Sequence, residues 1–184
     1  MTTMHIFDYL VNHPELYREK RVLDMGCGAG ILGLTMAQFD ASQTDLSDID
    51  YKAEVNTVKN IERFGLGDKC NTYQSDLFES IPENRYGLII FNHPFFTGKT
   101  IENIPISRTM LTEERQIHDF LEQAKEYQKK DAIVVMPYFH LAGQWKDPAV
   151  QGPKHGYDVT EVYRTKVGKG LQQGDFSVYH LNLK

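Results

Sequence analysis

Val22-Leu23-Asp24-Met25-Gly26-Cys27-Gly28-Ala29-Gly30-Ile31-Leu32-Gly33 is the stretch that decides the fold. An apolar strand over Arg21 to Met25 enters a turn with glycine at 26, 28 and 30, and a helix is expected over Ile31 to Gln38. Glycine reaches backbone conformations closed to other residues and lets a ligand lie against the main chain. Three alternate glycines exceed what a plain strand-to-helix turn requires. Free N–H groups at the start of the helix favour a carboxylate or phosphate. Gly26, Gly28 and Gly30 are therefore the candidate ligand turn. Asp24 is expected to orient it, and Cys27 to fill it as a small packing residue.

Outward from this turn, strand-like runs alternate with helix-like segments, the pattern of a parallel sheet covered by helices. A helix is expected over Met4 to His13, stopped by Pro14. Further strands are expected over Ala41 to Asp45, Lys69 to Gln74, Tyr86 to Phe91 and Ala132 to Met136, the last closed by Pro137. Helices are expected over Asp48 to Phe64, capped by Asp48 and ended by Gly65, and over Thr112 to Lys130. Val159 to Val167 and Phe176 to Leu183 alternate in polarity and read as an antiparallel hairpin. The expectation is one domain over residues 1–184, an α/β doubly wound, mostly parallel seven-stranded sheet with a C-terminal antiparallel hairpin.

The 184 residues are 41% hydrophobic and 24% charged, ordinary for a globular domain. No apolar run approaches the roughly 20 residues a membrane helix needs. Two cysteines, Cys27 and Cys70, make no disulfide framework, so a reducing cytoplasm is the expected compartment. A formal net charge of −5 argues against a free-standing nucleic-acid binder, although a partner subunit can supply the positive field. Histidines 118, 140, 155 and 180 show no metal-ligand spacing, so no metal is expected.

Three more motifs end sheet strands. Thr44-Asp45-Leu46-Ser47 places an acid where it could take two vicinal ribose hydroxyls, with Asp48 and Asp50 close by. Gln74-Ser75-Asp76-Leu77-Phe78 offers an acid and an apolar neighbour after the third strand. Asn92-His93-Pro94-Phe95 follows the apolar strand directly. A nicotinamide site is one reading, because Gly28 to Gly33 matches GxGxxG and Asp45 lies downstream. Asp24 stands two residues before the first glycine, where a dinucleotide fold normally has apolar strand, and the motifs that follow have no role in hydride transfer.

In this order the motifs resemble the class I S-adenosylmethionine (SAM)-dependent methyltransferases. The likeness is to the branch with an N-P-P-Y or N-P-P-F signature, including its small-domain type. It runs from Val22 to Met136, with His93 standing where the signature has its first proline. The resemblance implies SAM as cofactor, held by Asp24, Gly26, Cys27, Gly28, Gly30, Asp45, Leu46, Asp76, Leu77 and Asn92. Asp45 would take the ribose, and Asp76 the adenine amine with Leu77 or Phe78 on the ring.

That branch methylates nitrogens on planar groups, either exocyclic amines of nucleic-acid bases or glutamine side-chain amides. Asn92 and a carbonyl near His93 or Pro94 would accept the two N–H hydrogens of the target and raise its electron density. Phe95 would stack on it, and His93 would contact it. The expected substrate is RNA or protein, read through the long connections Phe95 to Leu111 and Tyr138 to Gly156, or with a partner subunit. A small-molecule acceptor and a SAM-binding module without catalysis are the other readings.

Overall fold

Tyr86-Gly87-Leu88-Ile89-Ile90-Phe91 has no exposed residue, so this strand must lie inside a sheet covered on both faces. The computed structural model describes residues 2–83, 85–97, 111–112, 115–142, 144–168 and 173–184. Its strands are β1 (Arg21–Met25), β2 (Gln43–Asp48), β3 (Cys70–Gln74), β4 (Tyr86–Phe91), β5 (Phe96–Thr97), β6 (Leu111–Thr112), β7 (Gln128–Phe139), β8 (Tyr157–Val167) and β9 (Gly174–Leu183). The helices are α1 (Thr2–Asn12), α2 (Ile31–Gln38), α3 (Tyr51–Phe64), α4 (Arg115–Tyr127) and α5 (Pro148–Gln151).

Seven strands form one sheet in the order β3-β2-β1-β4-β7-β9-β8, and β5 and β6 pair separately. β3 through β7 run parallel, while β9 is antiparallel to both its neighbours. This is the expected doubly wound sheet with its C-terminal hairpin. The strand order reverses between the parallel neighbours β1 and β4, and doubly wound sheets bind ligands at the carboxyl edge of such a switch point.

Several boundaries differ from expectation for identifiable reasons. β2 ends at Asp48, three positions beyond the expected Asp45, because Leu46 and buried Ser47 go on pairing with β1 and β3 and Asp48 still pairs with Gln74 of β3. α3 accordingly begins later, at Tyr51, with Asp50 rather than Asp48 capping it through the N–H of Lys52. β7 runs through Pro137, which pairs with Val178 of β9 beyond the last pair with β4. α4 stops at Tyr127 because β7 begins at Gln128. Ile117, Phe120, Leu121 and Ala124 form its buried stripe, as their spacing predicts. Most of the connection from Phe95 to Leu111, including Asn103 to Met110, falls outside the described residues.

Candidate functional site

Met25 of β1 lies opposite Phe91 of β4. The glycine turn and Asn92 therefore leave adjacent parallel strands at the same level of the carboxyl edge. Gly26, Gly28 and Gly30 have φ of +66°, +59° and +81°, a region L side chains enter only at a cost. The turn is pinned from behind. Thr57 Oγ1 donates to the Gly28 carbonyl at 2.9 Å, and Asn60 Nδ2 to the Ala29 carbonyl at 2.9 Å. A side chain built on Gly28 would meet no atom within 4 Å, so the space in front of the turn is open.

Asp24 is buried beneath the turn, and its Oδ2 accepts the N–H of Gly33 at 2.8 Å. That N–H belongs to the first turn of α2, where no helical partner exists. Burial lifts the Asp24 carboxyl to about 7, against the Gly33 hydrogen bond and with help from Asp48. Asp24 thus orients the turn from below. Leu46, fully buried, packs under the same helix, and a Cβ on Gly33 would come within 2.7 Å of it. It supports α2 and offers no surface to a ligand. The Cys27 thiol lies 3.7 Å from Thr57 Oγ1, and burial pushes its pKa well above the usual thiol range. A protonated thiol there is a packing group.

Asp45 does not stand at the ligand edge. It is fully buried at mid-strand opposite Leu23. Arg21 Nη2 at 2.9 Å, Tyr86 Oη at 2.7 Å and Asn71 Nδ2 at 2.8 Å all donate to its carboxylate. The acid at the carboxyl end of β2 is Asp48. It is half-buried, and its Oδ2 and Oδ1 each accept one backbone N–H, from Gly28 at 2.8 Å and Asp50 at 2.9 Å. Each oxygen keeps a further lone pair. The next residue, Ile49, is 62% exposed. At the end of β3, Asp76 is exposed and Leu77 half-buried, in a turn held by Ser75 Oγ donating to the Leu77 carbonyl.

After β4, Asn92 and Pro94 are half-buried, whereas His93 and Phe95 are buried. Phe95 is a core residue, edge-on to Phe176 at 6.5 Å and to His93 at 5.2 Å, and presents no free face for stacking. The His93 ring fills the space between Phe91 and Phe95. Its Nδ1 lies 3.1 Å from the Pro94 carbonyl, which only accepts, so Nδ1 carries the proton. Burial, with Lys146 nearby, lowers His93 to about 4 and keeps it neutral. The position that is proline in the N-P-P-F signature is thus stiffened by packing instead of by a backbone ring.

Sequence reasoning missed four of these residues. Asp48 was masked by the misplaced strand end. Thr57 and Asn60 read as ordinary helix positions, although their spacing of three puts them on one face. Lys146, whose Nζ donates to the Pro94 carbonyl at 3.1 Å, has no local signal at all. Away from the site, the fold joins His118, His155 and Glu122 in a hydrogen-bonded chain of 3.2 and 2.6 Å. Among the described residues, no group of three or more such side chains could hold a metal ion. No described helix is long and apolar enough to cross a membrane. Both cysteines are free.

Comparison with known proteins gives a consistent family likeness. Residues 7–131 match the family model of the methyltransferase small domain. A tRNA1(Val) (adenine(37)-N6)-methyltransferase of Dyadobacter fermentans is 32% identical over 103 residues, 55% of this chain and 42% of its own length. A ribosomal protein uL3 glutamine methyltransferase of Bradyrhizobium diazoefficiens is 32% identical over 97 residues, 52% of this chain and 30% of its own. The chain thus matches less than half the length of these curated relatives. Among solved structures, a SAM-dependent methyltransferase from Aquifex aeolicus superposes with a TM-score of 0.67 at 18% identity, covering 96% of this chain and 89% of that one.

Proposed function

Because the chain belongs to the methyltransferase small domain family, we propose that it is a SAM-dependent N-methyltransferase acting on a planar amino or amide nitrogen. The observation that carries this reading is the register of β1 with β4, which sets Asn92 beside the glycine turn.

The residues at the carboxyl edge fit an adenosyl donor. The open face at Gly28 leaves room for the main-chain approach of a ligand. Asp48, in place of Asp45, would hold the ribose with its spare lone pairs. Asp76 would take the adenine amine, with exposed Ile49 and half-buried Leu77 as apolar neighbours of the ring. Gly26, Gly28 and Gly30 would line the methionine end, above Asp24. When bound, SAM supplies a sulfonium methyl, an electrophile that needs no further activation.

The chain's own task is to orient a weak nucleophile. An aniline-like or amide nitrogen has its lone pair delocalised. The Asn92 side-chain oxygen accepts one of its N–H hydrogens and aims the lone pair toward the donor. Positioning of this kind lowers the barrier without a strong base. The methylated nitrogen is acidic and loses its proton to water, so a neutral His93 is compatible with turnover.

The first acceptor to test is an RNA base, since the tRNA adenine-N6 methyltransferase lies among the relatives. An acidic chain of net charge −5 would draw on a partner subunit, or on local basic groups, to hold RNA. The glutamine amide of a ribosomal protein is the second acceptor. The working compartment proposed is the cytoplasm.

The test has two steps. Calorimetric titration with S-adenosylhomocysteine is expected to give micromolar binding. Tritiated SAM is then supplied with unmodified tRNA, ribosomal proteins or a small-molecule extract, and label is expected in RNA or protein. Asn92→Ala should retain the binding and lose the label. Full transfer by that variant would overturn the role of Asn92, and a wild type that labels no fraction would leave only the binding module.

A further inference from the structure

Lys146 belongs to a short 3-10 turn, Gln144–Lys146, that follows β7. Its side chain is 1% exposed, whereas the adjacent Trp145 is 65% exposed. An ammonium group is among the most costly to take out of water, so a buried lysine is retained where its charge has an oxygen to hold. Here the Nζ donates to the carbonyl of Pro94, inside the Asn92 to Phe95 loop, at 3.1 Å. The Nδ1–H of His93 reaches the same oxygen at 3.1 Å. A carbonyl has two lone pairs, and with both engaged this one has no capacity left for a substrate N–H.

We propose that Lys146 is a positioning residue for methyl transfer: by clamping the Pro94 carbonyl it fixes the loop that presents Asn92 to the acceptor nitrogen. The inference rests on the function proposed above and adds a group 52 residues from Pro94, on an element with no other part in the site. Lys146 touches neither donor nor acceptor. It acts through the backbone of the loop, so its loss lowers the turnover number while donor affinity stays intact. The clamp also ties the exposed Trp145 to the loop, and as the chain's one tryptophan it reports the state of the turn.

The experiment compares the wild-type chain with Lys146→Met, which keeps the stem and removes the donor, and with Lys146→Arg, which restores a donor. Three quantities are read: S-adenosylhomocysteine affinity, kcat and KM for tritiated transfer, and hydrogen exchange of the peptide covering Asn92 to Thr97. For Lys146→Met the expected results are affinity within about twofold, kcat down at least about tenfold, and faster exchange confined to that peptide. Trp145 emission anisotropy should fall in the same variant. Lys146→Arg should recover much of the rate. If Lys146→Met does not fold, Lys146→Ala, which also lacks a donor and leaves room for water, is measured in its place.

Wild-type rate and wild-type exchange in Lys146→Met or its substitute would overturn the proposal. So would a loss of donor affinity equal to the loss of rate, which marks general damage. If the wild-type chain labels no acceptor, the functional reading fails, and exchange and anisotropy alone decide whether the clamp exists.

Discussion

Asp24 and Gly33 are joined beneath the candidate donor turn, carboxylate Oδ2 to backbone N–H, at 2.8 Å. Asp24 sits under the turn on β1 and Gly33 in the first turn of α2, so the bond welds strand to helix. It also sets a pH dependence. Burial raises the Asp24 carboxyl from 3.8 to about 7, so between these values the folded chain holds a proton that the unfolded chain has released. Stability from this group therefore falls as pH rises through that window.

His93 has the opposite sign. Burial lowers it from 6.5 to about 4, so between these values the unfolded chain holds the extra proton and stability falls as pH drops. The effects are about 4 kcal/mol for Asp24 and about 3 kcal/mol for His93, and the two windows overlap. Denaturant melts of the wild type are expected to be nearly flat from about pH 4.5 to 6.5. Asp24→Asn should unmask a stability that climbs with pH, and His93→Leu one that declines. Parallel profiles for all three chains would refute the assignment.

Asp48 and Asp45 should separate binding from stability. Asp48→Ala is expected to weaken S-adenosylhomocysteine at least about tenfold, near 1.4 kcal/mol, with a modest change in Tm. Asp45→Ala leaves Arg21, Asn71 and Tyr86 without their shared acceptor. Removing one partner of such a buried group costs about 3–5 kcal/mol. What remains folded should bind the nucleoside normally. Calorimetry paired with thermal melts reads both, and the reverse pattern would return the ribose to Asp45.

Gly28 and Gly33 should also part ways. Gly28→Ala places a methyl in open space at φ +59°, so its cost to the fold is about 1–2 kcal/mol. Its larger effect should be on nucleoside affinity, because that space is where the ligand approaches. Gly33→Ala drives a methyl to 2.7 Å from Leu46 and 3.1 Å from the Asp24 carboxylate. It should lower Tm by several degrees, consistent with overpacking of about 1–3 kcal/mol.

Phe95 gives a test of core against stacking. At 3% exposed, its truncation to alanine should cost about 3–5 kcal/mol of stability. A side chain that only stacked on substrate would leave the melt unchanged and raise KM.

The central strands and the glycine turn were legible because their signals are local: apolar runs and alternate glycines announce themselves in a window of ten residues. β1, α2 and β4 have their expected bounds for that reason. β2 misled because its polarity is explained only by partners far along the chain. Arg21, Asn71 and Tyr86 lie 24, 26 and 41 residues from Asp45, and none is visible from Gln43 to Asp48. Ending the strand three residues early put Asp45 at the expected strand end, where the fold has Asp48. Lys146 was illegible for the same reason, since a lysine in a short turn gives no hint that its ammonium is buried.

The placement of β9 between β7 and β8 bears on how the chain is made. β8 emerges from the ribosome first, yet it has no seat on the sheet until β9 has followed it and paired with β7. Until then β7 presents an open edge next to an unattached strand, a geometry that invites pairing with another nascent chain. Translation order and assembly order thus diverge at this edge. A polypeptide interrupted after Val167 would carry the whole glycine turn and Asn92, but would lose two strands of its sheet at once.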